Sequence, residues 1–218
     1  MNRRSTSAAA AIAVTGALLL SACGSGDDSK PADPDKIAGA DDPTEKPTSP
    51  SPTAPAAPGR PKIELPADIT YTFDWKKTGD KDKDAVLSDG EQSIKAVDMA
   101  IAKQNSQDKA YQFYYEGEAA AGTDAFIKRY VDAKARTTGH YRFYNESLSL
   151  AEGDNATFSY CEDQGKAYVK HLADDKIDKT PVTEKSYVNY DTALHKNEQG
   201  VWVIQKILSQ SGSARCQP

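Results

Sequence analysis

Residues 63–218 predict a single α+β domain in which helices lie on a curved antiparallel sheet. Three observations predict it. A stretch alternating apolar and polar residues opens the segment, and residues at helical spacing follow. Five stretches rich in aromatic and β-branched residues then close it, and helices followed by a run of strands is the α+β pattern. The segment is 156 residues long, which suits one ordinary domain.

Each element has its own reason. Ile69, Tyr71, Phe73 and Trp75 alternate with Thr70, Thr72 and Asp74, the period of a half-buried strand. Lys76 to Asp84 mixes both charges and reads as a solvated loop. Ser88 or Asp89 is the expected cap of the first helix. Ile94, Val97 and Ile101 recur along it at helical spacing, with Lys95, Asp98 and Lys103 facing elsewhere. Tyr111 to Ala121 predicts a shorter second helix. Thr123 or Asp124 is expected to cap a third, which carries Phe126, Ile127, Tyr130 and Val131 on one face and stops at Gly139.

Strands are expected over 141–150, 156–161, 166–171, 187–196 and 200–210, separated by turn formers such as Gly153-Asp154-Asn155. Asn197 to Gly200 makes a hairpin connection. Val201-Trp202-Val203-Ile204 alternates poorly, which predicts a strand covered on both sides.

Ahead of the domain lies an address. Arg3 and Arg4 precede an apolar run from Ala8 to Leu20, the layout of an export signal. The run is too short to span a bilayer, which takes roughly 20 apolar residues. The arginine pair hints at a twin-arginine route, but Ser5, Thr6 and Ser7 lack the apolar follow-up. Leu20-Ser21-Ala22-Cys23 looks like a bacterial lipobox, so residues 1–22 are expected to be a leader cut between Ala22 and Cys23. Cys23 would then carry the lipid. Two acyl chains make a stable anchor, because each buried CH2 adds about 0.8 kcal/mol and a single chain binds only marginally. The expected location is the outer face of the cytoplasmic membrane of a Gram-positive bacterium.

The chain has three cysteines. Giving Cys23 to lipid leaves Cys161 and Cys216, and outside the cytosol two remaining cysteines favour a disulfide. A metal site would need further ligands. The three histidines, His140, His171 and His195, lie far in sequence from either cysteine.

Residues 23–62 hold nine of the twelve prolines among Ser, Thr, Ala, Gly and Asp. Such a segment buries too little apolar surface to offset its ordering entropy and is expected to act as a disordered tether. Without the leader's two arginines, 25 basic residues face 32 acidic ones, a net charge of −7. That balance argues against a nucleic-acid partner, which demands a clustered positive surface.

Strand, long helix, aromatic helix pair and curved sheet, in that order, are similar to the nuclear transport factor 2-like cone fold. More narrowly, the chain resembles lipid-anchored actinobacterial proteins of that fold. The residues that carry the likeness are Phe73-Asp74-Trp75, Tyr111-Gln112-Phe113-Tyr114-Tyr115, Phe158-Ser159-Tyr160-Cys161-Glu162-Asp163, Gly200-Val201-Trp202-Val203 and Cys216. The resemblance implies the same Cys161–Cys216 pairing. It also implies a cone interior that in some members carries acid–base chemistry and in many carries none.

Tyr114, Tyr115, Phe126 and Tyr130 are the candidate pocket residues, with Glu118, Asp132 and His140 as further polar candidates. Against this stands a plainer role for each. The tyrosines also suit core rings with bonded hydroxyls, Glu118 and Asp132 suit solvated helix faces, and His140 suits a loop. No nucleophile elbow, zinc motif, phosphate loop or calcium loop occurs, and neither a metal nor another cofactor is implied. Two function classes follow. The favoured one is a membrane-tethered, non-catalytic domain that binds a small ligand or a cell-envelope partner. The alternative is a cone enzyme of isomerase, cyclase or dehydratase type using general acid–base catalysis. Two ionisable groups meeting in an apolar pocket would favour the second, and a mouth plugged by tyrosine rings the first.

Overall fold

The computed structural model describes residues 59–218. The expected leader, Cys23 and the tether as far as residue 58 lie outside the described residues. Within them, strand β1 (Ile69–Phe73) is followed by helices α1 (Lys81–Ala102), α2 (Lys109–Gln112) and α3 (Gly117–Asp132). Then come strands β2 (Ala135–Ala151), β3 (Asn155–His171), the short β4 (Ile177–Asp178), β5 (Tyr187–Lys196) and β6 (Trp202–Ser211). Their order in the sheet is β1-β2-β3-β5-β6, with β4 paired to β3. Helices α1 and α3 pack on this sheet, so the fold is the α+β cone expected.

The sheet is mixed, not antiparallel throughout. β1 runs parallel to β2, with Ile69 opposite Gly139 and Phe73 opposite Phe143. A parallel pair needs a long crossover, and the three helices supply it. The remaining pairs are antiparallel.

Helix α1 begins earlier than expected. Asp80 caps it by accepting from the backbone N–H groups of Asp82 and Lys83, and Asp82 and Asp84 lie in the first turn, where the helix dipole favours acids. Lys81 to Asp84 are therefore helical and not loop, and Ser88 and Asp89 sit inside the helix. Gly90 is needed there, because a Cβ would stand 2.9 Å from the Phe158 ring. α3 also starts early, at Gly117, which leaves Thr123 buried in mid-helix.

Gly139 does not end a helix. It lies within β2 at φ +98°, and an added Cβ would come 2.2 Å from the Lys166 carbonyl oxygen. Only glycine fits that approach. β2 accordingly starts six residues before the expected 141, and His140 is a strand residue, not a loop one. The segments 156–161 and 166–171 form one strand, because Glu162 and Asp163 continue the pairing to both neighbours. Register shifts at His140/Arg142 and Tyr144/Ser147 mark β-bulges, which bend long strands and increase their twist.

The core lies between the helices and the inner sheet face, with Val86, Met99, Ile101, Ile127, Phe143 and Phe158 almost wholly buried. Val201 to Ile204 are all buried, as their pattern predicts. An aromatic ladder seals one end: Phe73 stacks on Phe143 at 4.8 Å, and Trp75 meets Phe158 edge-on at 4.9 Å. Cys161 and Cys216 are bonded, which ties the chain end to the middle of β3. Arg60, assigned to the tether by composition, instead pairs with the buried Asp89 of α1, which also accepts from the Trp202 backbone N–H at 2.9 Å. The ordered domain thus starts at least three residues before 63.

Candidate functional site

A cavity of about 800 Å³ opens between α1, α3 and the inner face of the sheet. The periodicities of the elements decide what reaches it. In β3, Tyr160, Glu162 and Gln164 alternate inward, a period of two. In β2, Thr137, Tyr141 and Phe143 do the same, and β5 adds Val188 and Tyr190. Helix α1 contributes Ile94, Val97 and Asp98, one stripe at three- and four-residue spacing. Eight aromatic rings line it, with the buried carboxyls of Asp98 and Glu162 set among them and Asp178 at the edge.

Asp98 is buried on the inner face of α1. It accepts a 2.7 Å hydrogen bond from the Tyr71 hydroxyl and a 2.8 Å bond from that of Thr137. Burial raises its pKa to about 6, and those two donors hold it from going further. Glu162, on β3, accepts from Gln164 Nε2 at 2.8 Å, and the nearby Tyr190 hydroxyl favours its charged form. Loss of solvent again dominates and lifts it to about 7, with the nearby Asp98 and Asp163 carboxyls adding to the push. Neither group forms an ion pair among the described residues.

The tyrosines are held neutral. Burial pushes Tyr115 up to about 12, and it pushes Tyr141, Tyr160 and Tyr190 well above the usual phenol range. Tyr160 and Tyr190, directly paired across β3 and β5, stack at 5.2 Å and pack as one unit of the wall. A chamber of this kind offers phenol and carboxyl hydrogen bonds beside a large apolar surface. Two of its groups exchange protons near neutral pH.

Of the residues singled out from sequence, Tyr115, Phe126 and Tyr130 line the cavity. Phe126 stands towards its exposed side, with Tyr130 edge-on at 5.4 Å. Tyr114 does not line it. The 114–115 segment bridges to β6 at Ile204 in extended form, so neighbouring side chains diverge, and Tyr114 turns to the Arg60–Asp89 pair. Glu118 and Asp132 are exposed, the latter paired with Lys128 at 2.7 Å. His140 lies outside the cavity between the hydroxyls of Thr70 and Thr72, at 3.0 and 3.3 Å.

Asp98 and Glu162 were the residues missed, and each had a signal. Asp98 is four residues after Ile94 and one after Val97, on the apolar stripe and not facing elsewhere. Glu162 continues the inward alternation of Phe158 and Tyr160. A charge placed on an apolar period marks a buried ionisable group. Among the described residues, no cluster of His, Cys, Asp and Glu has the geometry of a metal site, and no helix is long and apolar enough to cross a membrane.

No protein-family model matches the sequence, and no curated protein matches it. Several solved structures are similar in chain path. A ketosteroid isomerase-like protein from Erwinia carotovora atroseptica is 10% identical over 62% of this chain and 98% of its own, with a TM-score of 0.41. LinA is 9% identical over 60% of this chain and 88% of its own, with a TM-score of 0.41. ActVI-ORFA from Streptomyces coelicolor is 15% identical over 59% of this chain and 93% of its own, with a TM-score of 0.37.

Proposed function

We propose that the chain is a lipid-anchored protein of the outer face of the cytoplasmic membrane, whose cone takes up a small, largely apolar ligand. The observation that supports it most is the cavity of about 800 Å³, a volume within the range of small-molecule sites, with aromatic walls and a few convergent polar groups. The lipobox-like Leu20-Ser21-Ala22-Cys23 and the proline-rich residues that follow support placement at a membrane, held off by a spacer.

Two measurements test it. A Cys23→Ala variant is expected in the medium, and continued membrane retention would contradict the anchor. For the cavity, a panel of small apolar compounds is screened by thermal shift against the parent and against Ala167→Phe, which fills the chamber from β3. A compound that raises the parent midpoint but not the variant's supports the reading. A panel that raises neither, or both equally, refutes it.

A second reading has its own support. Asp98 and Glu162 share one cavity with pKa values near 6 and 7, so one can hold a proton while the other lacks it. That pairing suits general acid–base catalysis, such as proton transfer next to a carbonyl. Catalysed exchange of the α-hydrogens of a cyclic ketone in D2O, lost in Asp98→Asn, would favour it. Exchange at the buffer rate would remove it.

A further inference from the structure

We infer that the cavity is a site for an amphiphilic organic cation, an ammonium head placed by Asp98 and Glu162 with its apolar body along the tyrosine wall. The inference rests on the binding reading above and names the class of ligand.

Charge balance is the first reason. Of the three carboxyl groups that line the cavity, Asp178 at the edge pairs with His171 and Lys176, whereas Asp98 and Glu162 have no cationic partner among the described residues. Their protein partners are all neutral: Tyr71 and Thr137 for Asp98, Gln164 and Tyr190 for Glu162. A carboxylate offers about four acceptor positions, so two donors leave room for a third. Elsewhere in the domain the buried Asp89 has its arginine, so an acid left with neutral partners is not this fold's general habit.

The wall is the second reason. Tyr141, Tyr160 and Tyr190 line the same cavity as the two acids, and electron-rich aromatic rings attract cations. Arg129, the basic side chain that lines the cavity, stacks over Phe126 at 5.2 Å and makes no ion pair with either acid. An anionic ligand would meet two acids and no interior cation. A neutral ligand would leave the carboxyls without a counter-charge. A cation satisfies both wall and floor.

Uptake should also release protons, because a bound cation favours the ionised carboxyls. The groups facing Asp98 and Glu162 from the neighbouring elements are Tyr71, Tyr115, Tyr130, Tyr141, Tyr160 and Tyr190, with Asp163 following Glu162 on the same strand. All six phenols are raised, so they stay neutral in the range where the two acids titrate. Asp178, held low by His171 and Lys176, lies at the cavity edge and stays ionised there.

The test titrates the full chain calorimetrically with benzylammonium, a cation at neutral pH that carries N–H donors, and with uncharged benzyl alcohol. The expected result is at least tenfold tighter binding of the cation, and at least a tenfold loss in Glu162→Gln and in Asp98→Asn with Glu162→Gln. The cation arm should release protons, seen as a binding heat that changes with the buffer's own ionisation heat. Equal affinity for the two probes overturns the cation inference and leaves a binding chamber standing, and it does so even if the double variant fails to fold. Unchanged cation affinity in a folded Glu162→Gln variant also overturns it. Failure of both probes to bind overturns it together with the binding reading.

Discussion

The hydroxyl of Tyr71, on the first strand, donates a 2.7 Å hydrogen bond to the carboxylate of Asp98, 27 residues later on the first helix. The bond joins the edge strand to the helix behind the Asp98 carboxyl. It also favours the ionised form of an acid that burial would otherwise keep protonated.

Removing that donor with Tyr71→Phe should move the Asp98 pKa upward from about 6, by roughly one to two pH units, since a hydrogen bond to a charged group contributes about 1.5–3 kcal/mol. Carboxyl carbon NMR through a pH titration reads it directly. A midpoint that stays or falls would mean the phenol does not hold the charge.

Stability should decline as pH rises from about 4 to about 7. Asp98 and Glu162 bind their protons more tightly folded than unfolded, because the cavity disfavours the charged form. Between the unfolded and folded pKa values the native state holds more protons, so unfolding becomes easier with each step up in pH. The loss is of order 3 kcal/mol for each carboxyl and is complete above the folded values. Urea unfolding of Asp98→Asn with Glu162→Gln should show a flatter profile across this window; an equally steep one would assign the slope to other groups.

Cys161 and Cys216 close a loop of 55 residues. Replacing both with alanine should cost about 4 kcal/mol on the chain-entropy account. The C-terminal turn should loosen first. It is otherwise held by Arg215, which donates to Asn189 Oδ1 at 2.9 Å and to the Asn145 carbonyl at 2.8 Å. Amide exchange at 213–217 and a denaturant midpoint together test this, and an unchanged midpoint would contradict it.

Arg60→Ala should destabilise the domain by about 3 kcal/mol, because it strands the fully buried Asp89 carboxylate without its counter-charge. Asp89 would then keep only the Trp202 backbone N–H. Urea midpoints of parent and variant check this. Equal midpoints would return Arg60 to the tether, where composition placed it.

Composition and periodicity determined a good deal by themselves. The alternation from Ile69 to Trp75, the stripe of Ile94, Val97 and Ile101, and the aromatic strands after residue 140 fixed the class, because burial of one face imposes a period on any helix or strand. The cysteine count gave the 161–216 pairing for a similar reason, since three sulfurs leave few arrangements. The candidate tyrosines at 115 and 130 were legible as large rings on inward faces. Only the tertiary structure decided what those faces enclose. Asp98 and Glu162 become a pair because a helix from the first half of the domain lies over a strand from the second. Tyr114 and Tyr115 part company because a single bridge to Ile204 holds their backbone extended. Gly139 belongs to a strand and not to a helix end because the Lys166 carbonyl, 27 residues away, leaves no room for a side chain. Local periods are written in the chain, while a cavity and the pKa values inside it arise from desolvation by residues distant in sequence.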